Sequence, residues 1–482
     1  MCVCLTPVAA QQGGNGGNGG GGMGGGSNGG NGGGGNTGMG GDMGGSSAST
    51  GSASATGYSQ SSGTNTATGE TYTSTNSDEN AVQITGGTFT MNECTVEKSS
   101  GDTSDSDGSS FYGINSAVYC AGSSSVLNVY GGTITSSAIG ANGVIAYDEG
   151  TINISDATIT TTSNLSRGIH ATGEGVINAS NLTVSTASTN CSVIATDRGG
   201  GTVTVNGGTY TTTGDDSAIT YSTGTITVTD AIGSSSKGEI SVIEGDNSIT
   251  LNNCYMTSGS SSRGMMILQS GSGDSEGYNG SISVNGGTMI TTDSDAPFLE
   301  VPTNITATLT LTDVTLTVPS GLLMYVDYNT RWDTYGGTGI LVLATDSAWS
   351  YTGDVRADEY STAIVKVMEG VTWNGSIDST DVAKETQVEV SGTWMLTADS
   401  YVDELTINDG GVIDTNGYNL YYGTLTNSGS LTNGISQAVA PATAAGGVYT
   451  IDGVRVADSP VALSSLPAGI YIINGKKVTI KQ

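Results

Sequence analysis

The sequence predicts an all-β chain built as a solenoid, and three observations carry that prediction. Within short segments apolar and polar residues alternate with period 2, as in a strand with one buried face. A phrase of the form apolar, x, apolar, x, x, x, Thr, apolar recurs as "LNVYGGTI", "INISDATI", "INASNLTV", "VTVNGGTY", "ITLNNCYM", "ISVNGGTM" and "LTLTDVTL". Its seventh position falls at Thr133, Thr158, Thr183, Thr209, Tyr255, Thr288 and Thr315, with gaps of 25, 25, 26, 46, 33 and 27 residues. The gap of 46 holds two coils, with "ITVTDAIG" between them. Period 2 inside the phrase and a period near 25 between phrases describe stacked β coils.

Each coil reads as three short strands with turns. Around Thr158 these are "GVIAY", "TINIS" and "ATITTT". One coil cannot bury its inward side chains alone, so neighbours stack about 4.8 Å apart. The expected core column includes Ile134, Ile159, Val184, Tyr210, Met289 and Leu316. Threonine, β-branched and polar, suits the outer face. The right-handed rule for parallel crossovers sets the hand.

Before the coils, residues 1–10 ("MCVCLTPVAA") read as the remnant of a signal peptide, with Val8 and Ala10 spaced as at a cleavage site. Residues 11–78 read as a low-complexity Gly/Asn/Ser/Thr spacer, too poor in apolar surface to offset its ordering entropy. Its glycines are no phosphate loop, since no strand precedes them and no helix follows. The coils are expected over residues 79–435, with tryptophan entering from about 322. Trp349, Trp373 and Trp394 are 24 and 21 residues apart, one per coil. That spacing suits a core column better than a sugar platform. Residues 436–447 form a Pro/Ala/Gly linker, and 448–482 a small β module.

Across roughly residues 80 to 435 this pattern resembles the right-handed single-stranded parallel β-helix of pectate-lyase-like proteins. The phrases "NSDENAVQITGGTFT" and "IATDRGGGTVTVNGGTY" resemble exported, adhesin-like β-helix proteins of gut anaerobes. "GTWMLTADSYVDELTINDGG" is similar to the closing coils of autotransporter adhesins. "IDGVRV", "LPAGIYII" and "KKVTIK" resemble the small C-terminal module of Bacteroidetes secreted proteins, related to the type IX sorting domain, though this one is short. The resemblance implies export to the extracellular space or outer-membrane surface. It also implies a glycan, or a host or bacterial surface, as partner.

Composition narrows the partners further. Of 482 residues 35% are apolar, 12% are charged and 77 are glycine, and the net charge is -31. That balance argues against nucleic acid or an anionic membrane and suits calcium or a polar neutral surface such as glycan. No run of 18 apolar residues predicts a membrane-spanning helix, and a monomer is expected. Cys2 and Cys4 fall in the signal remnant. Cys94, Cys120, Cys191 and Cys254 are far apart without metal-like spacing, and read as small buried hydrophobes.

The candidate site comes from aligning the first strand of each coil: "AVYCAG", "GVIAYDEG", "GIHATGEG", "SVIATDRG", "SAITYSTG" and "GMMILQSG". If Val118, Ile169 and Ala171 point inward, alternation sends Tyr119, Ile145, His170, Ile194, Ile219 and Met266 outward. The resemblance implies that this semi-apolar stripe is the glycan groove. Asp148, Glu149, Glu174 and Asp197 lie just beyond it in equivalent turns, either as calcium ligands or as a solvated column relieved by Arg198. Asp102, Asp105 and Asp107 of "GDTSDSDG" read as a solvated loop and a weaker calcium candidate.

Catalysis finds little support. A lyase would need a base near the acidic cluster, where only Arg167, Arg198 and His170 are available. A hydrolase would need paired carboxylates, and the pectin-hydrolase motifs "GHG" and "RIK" are missing. The sole histidine, His170, leaves no Ser/His/Asp arrangement. The outward pairs Thr133/Thr135, Thr158/Thr160, Thr209/Thr211 and Thr315/Thr317 invite an ice-binding reading, but Ser185 and Ile290 interrupt them. The expectation is therefore a secreted or cell-surface adhesin or carbohydrate-binding β-helix without catalysis. The alternative is a calcium-dependent polysaccharide lyase or a degenerate relative of one.

Overall fold

A computed structural model describes residues 54–270, 275–329, 336–432 and 436–438, and parts of the C-terminal segment between 448 and 480. The expected signal remnant, the Gly-rich part of the expected spacer and most of the linker lie outside the described residues.

The repeated phrase folds as two strands joined at a left-handed turn residue, followed by a second left-handed residue where the phrase reads "GG" (Gly132, Gly208 and Gly287). In successive coils the first of these is Glu93, Gly131, Asp156, Asn181, Gly207, Asp230, Asn253, Gly286 and Asp313, with φ between 49° and 69°. Glycine reaches this region freely, and Asn and Asp tolerate it better than other residues, hence the alternating "GG", "DA", "NL" and "NC" of the phrase. Around Thr158 the coil is Val144–Tyr147, Thr151–Ser155 and Thr158–Thr161, matching the three expected strands.

The coils stack as a right-handed parallel β-helix. A first sheet of 12 parallel strands runs from Ser54–Gln60 to Asp354–Ala357. A second, 24-stranded sheet holds the other two strands of each coil, fused because Gly175–Thr186 and Gly201–Thr212 run through both positions. The expected core column forms in register: Ile134, Ile159, Val184 and Tyr210, then Gly233, Met256, Met289 and Leu316. Gly233 has no room for a side chain, since a Cβ there would lie 2.3 Å from Met256 Sδ. A second inward column is polar. Thr161 and Thr186 donate to the carbonyls of Ser166 and Cys191, at 2.6 and 2.5 Å, and so tie each strand to the turn that follows it.

The solenoid begins earlier than expected. Ser54–Gln60, Thr64–Thr68 and Thr71–Ser74 form a coil that pairs in parallel with Glu79–Ile84, Gly87–Asn92 and Thr95–Lys98. This Ser/Thr-rich stretch orders because the next coil supplies most of its apolar surface. Tyr58 stacks on Phe89 with ring centroids 4.2 Å apart. The spacer boundary at residue 78 is corrected accordingly.

Toward the other end the first sheet stops, and coils of two strands, such as Glu385–Val390 with Thr393–Met395, complete the stack. Trp373 and Trp394 stack 5.0 Å apart with no exposure, and their indole N–H groups donate to Gly353 and Gly375 carbonyls at 2.9 Å. These two are core residues, as their spacing predicts, but Trp349 is half-buried and pairs with Val371, so Tyr351 and not Trp349 continues their column. Cys94, Cys120, Cys191 and Cys254 are buried and unbridged. Beyond the solenoid the described C-terminal residues form a four-stranded antiparallel sheet, and Lys477 reaches Asp381 of the solenoid at 3.8 Å.

Candidate functional site

The outward column of the first sheet reads Tyr119, Ile145, His170, Ala195, Tyr221, Val242, Met266 and Glu300. Four of the six expected stripe residues, Tyr119, Ile145, His170 and Met266, therefore share it. Ile194 and Ile219 do not. Ile194 is in register with inward Ile169, and both Ile194 and Ile219 belong to the main core. Aligning the strands on their trailing glycine caused the error. The turn at 198–201 carries one extra glycine, so Gly175 pairs with Gly201 and Ile194 slips by one residue to the other face. Ile219 instead falls two residues before outward Tyr221, ahead of the strand, because the turn before Gly224 is shorter.

The stripe is not an open groove. Tyr119 is 7% exposed, Met266 8%, and Ile145 and His170 not at all. The acidic insertion covers its first half. Asp105 caps a short helix, Ser106–Tyr112, by accepting from Gly108 N at 2.9 Å, and Gly113 ends it with φ 72°. Gly113 then lies so close to the sheet that a Cβ would be 2.8 Å from Ile145 and 2.9 Å from Tyr119. Further along, Thr172 donates to the Phe111 carbonyl at 2.8 Å, and the Arg198 guanidinium sits 4.0 Å from the centre of the Phe111 ring. Asp102 also serves this loop, accepting from Ile139 N at 2.9 Å, while Asp107 is exposed. The insertion expected as a solvated loop is thus a roof built on two of its aspartates.

Beneath the roof neither ring nitrogen of His170 has a hydrogen-bond partner. Burial holds its pKa well below the usual histidine value, and the nearby Arg167 charge lowers it further. Arg167 and Asp197 form a fully buried ion pair at 2.7 Å.

That pair also dissolves the expected calcium set. Asp197 is committed to Arg167, whereas Asp148, Glu149 and Glu174 are exposed turn residues with φ of 50°, 62° and 63°. The four carboxylates do not converge, and among the described residues no cluster suited to a metal ion occurs. These residues do not fit calcium.

The second half of the same face carries a group that sequence reasoning missed. Arg263 lies 3.6 Å from Glu239 and also contacts Glu300 through Nε. Glu300 accepts from Asn329 at 3.3 Å, and Asp358 accepts from Tyr328 N at 2.6 Å and Tyr360 N at 3.0 Å. Burial, then the Glu300 and Asp358 charges, push the Asp327 carboxyl up to about 7. Burial raises Glu239 as well, against the pull of Arg263. The signal in the sequence was one charge inside an apolar strand, Glu300 in "FLEVP".

The outer face of the second sheet is open. One row runs Thr158, Thr183, Thr209, Ile232, Tyr255, Thr288, and another, on the neighbouring strands, links Asn153 to Asn128 at 2.9 Å and Asn178 to Asn153 at 3.0 Å. Comparison with protein-family models, with curated proteins and with solved structures finds no match.

Proposed function

We propose that the chain is an exported, surface-associated β-helix that binds glycan and catalyses no reaction. The observation that carries this reading is the open face of the second sheet, where hydroxyl and amide groups recur at fixed register from coil to coil. Such rows offer many evenly spaced hydrogen bonds on a rigid support. Full-length protein on a glycan array should retain one or more glycans without altering them, and a chelator should leave retention unchanged. No retention of any glycan would overturn the reading. Export and a sorting role for residues 448–482 belong to the same proposal, and deleting that segment should hold the protein back inside the cell.

One observation favours the second reading, a polysaccharide lyase or degenerate relative. Asp327, pushed up to about 7 beside Glu300 and Asp358, has the proton affinity a general acid needs at neutral pH. Unsaturated-sugar absorbance produced by the wild type and lost in Asp327→Asn would establish it.

A further inference from the structure

We infer that the glycan site lies around Ile232 and Tyr255 on the open face of the second sheet, and that its ligand is a neutral, hydroxyl-rich polysaccharide. The inference rests on the glycan-binding reading and adds a place and a ligand class. Ile232 and Tyr255 are register partners on adjacent strands, 55% and 49% exposed. They interrupt a row that is threonine on either side, Thr183 and Thr209 before and Thr288 and Thr315 after. Threonine already satisfies the outer face of these strands. Two large apolar residues there leave about half of their surface in water, so the fold itself does not call for them. Adjacent strands stand about 4.8 Å apart, which makes the two side chains one continuous apolar patch.

The surroundings select the partner. The parallel row two residues on reads Thr211, Ser234, Thr257, Ile290 beside the patch, again without charge. At the patch edge Asn253 donates to Asp230 at 2.7 Å, and both side chains are exposed with further hydrogen-bonding capacity. Two rows without charge, edged by the carboxylate of Asp230, on a chain of net charge -31 match a neutral ligand. A polyanion, or a second copy with the same charge, meets long-range repulsion before it can dock. The apolar face of a sugar ring on Tyr255 and Ile232, with its hydroxyls on Thr209, Ser234 and Thr257, uses both kinds of surface present.

The test uses full-length protein, with starch, dextran and mannan as neutral probes and polygalacturonate as the anionic one. The variant is Ile232→Thr with Tyr255→Thr, which restores the residue the row already carries and so preserves the fold. Retention on a neutral probe should weaken about tenfold or more in the variant. Undiminished retention would overturn the site while leaving glycan binding intact. Retention on polygalacturonate alone would overturn the ligand class. Self-association of the wild type in sedimentation, abolished in the variant, would make the patch an interface between copies and overturn the inference. Failure of every probe to bind would overturn it together with the reading beneath it.

Discussion

On the first sheet the outward residues Tyr119, Ile145 and His170 are buried, whereas on the second Thr158, Thr183 and their row neighbours Ile232 and Tyr255 face solvent. Both sets obey the same alternation. The difference comes from the helix Ser106–Tyr112, which lies over one face and has no counterpart among the described residues over the other. Alternation therefore decides only which side chains leave the core. A segment far away in sequence decides whether they reach water. The apolar character of the stripe already hinted at this, because an uncovered row on this chain is mostly threonine.

The sharpest way to break the comparison is through charge. Asp197 sits under the roofed side with Arg167, and Glu174 occupies the matching turn one coil earlier but is exposed. Asp197→Ala should destabilise by about 3–5 kcal/mol, since it removes the buried counter-charge of Arg167. Glu174→Gln should stay within about 0.5 kcal/mol. Urea midpoints of the two variants check this. Equal, small effects would mean that the roofed face is wet and the contrast between the faces false.

Three isoleucines sharpen the same contrast. Ile159 lies in the inner column, Ile145 under the roof and Ile232 on the open face. Ile159→Ala and Ile145→Ala should each cost about 2–5 kcal/mol, because both leave a cavity. Ile232→Ala should cost under about 1 kcal/mol. A thermal-unfolding series on the three variants reads this directly. If Ile145→Ala behaves like Ile232→Ala, the roof covers the stripe without packing on it.

The sequence made the solenoid legible because period 2 and period 25 are local and repeat many times, so a single misplaced residue cannot hide them. The core column from Ile134 to Met289 and the buried Trp373 and Trp394 followed from the same repetition. The first coil was missed because Ser54–Ser74 shows only Tyr58, Ala67 and Tyr72 as inward apolar residues, and takes the rest of its core from Phe89 and its neighbours. The site was legible only in part. One extra glycine near 200 displaced Ile194, a shorter turn before Gly224 displaced Ile219, and nothing local announces that "SDGSSFYG" folds onto residues more than 30 positions away. Arg263 and Glu300 are 37 residues apart in sequence, so their pairing waits for the coils to stack.

The smallest predicted effect separates the faces by pH. His170 is the chain's only histidine and lies beneath the roof, with its folded pKa held well below the ordinary value. Below about pH 6.5 the unfolded chain takes up a proton there and the folded chain does not, so unfolding becomes easier as pH falls. For one such group the loss between pH 7.5 and 5.5 is about 1.4 kcal/mol. The wild type alone cannot display it cleanly. Asp327, with a folded pKa of about 7, and Asp378, at about 6, bind protons in the folded state over the same range, which stabilises the fold as pH falls. The measurement is therefore a difference. His170→Leu suits the apolar stripe, keeps both aspartates and removes only the histidine's contribution. Its stability, relative to wild type, should rise by about 1.4 kcal/mol on going from pH 7.5 to 5.5. Ile232→Ala, in a row without a carboxylate or an imidazole, should show no such relative change. Parallel pH curves for wild type and His170→Leu would mean that the imidazole titrates freely, and that the roof closes over it far less tightly than Ile145 and Thr172 indicate.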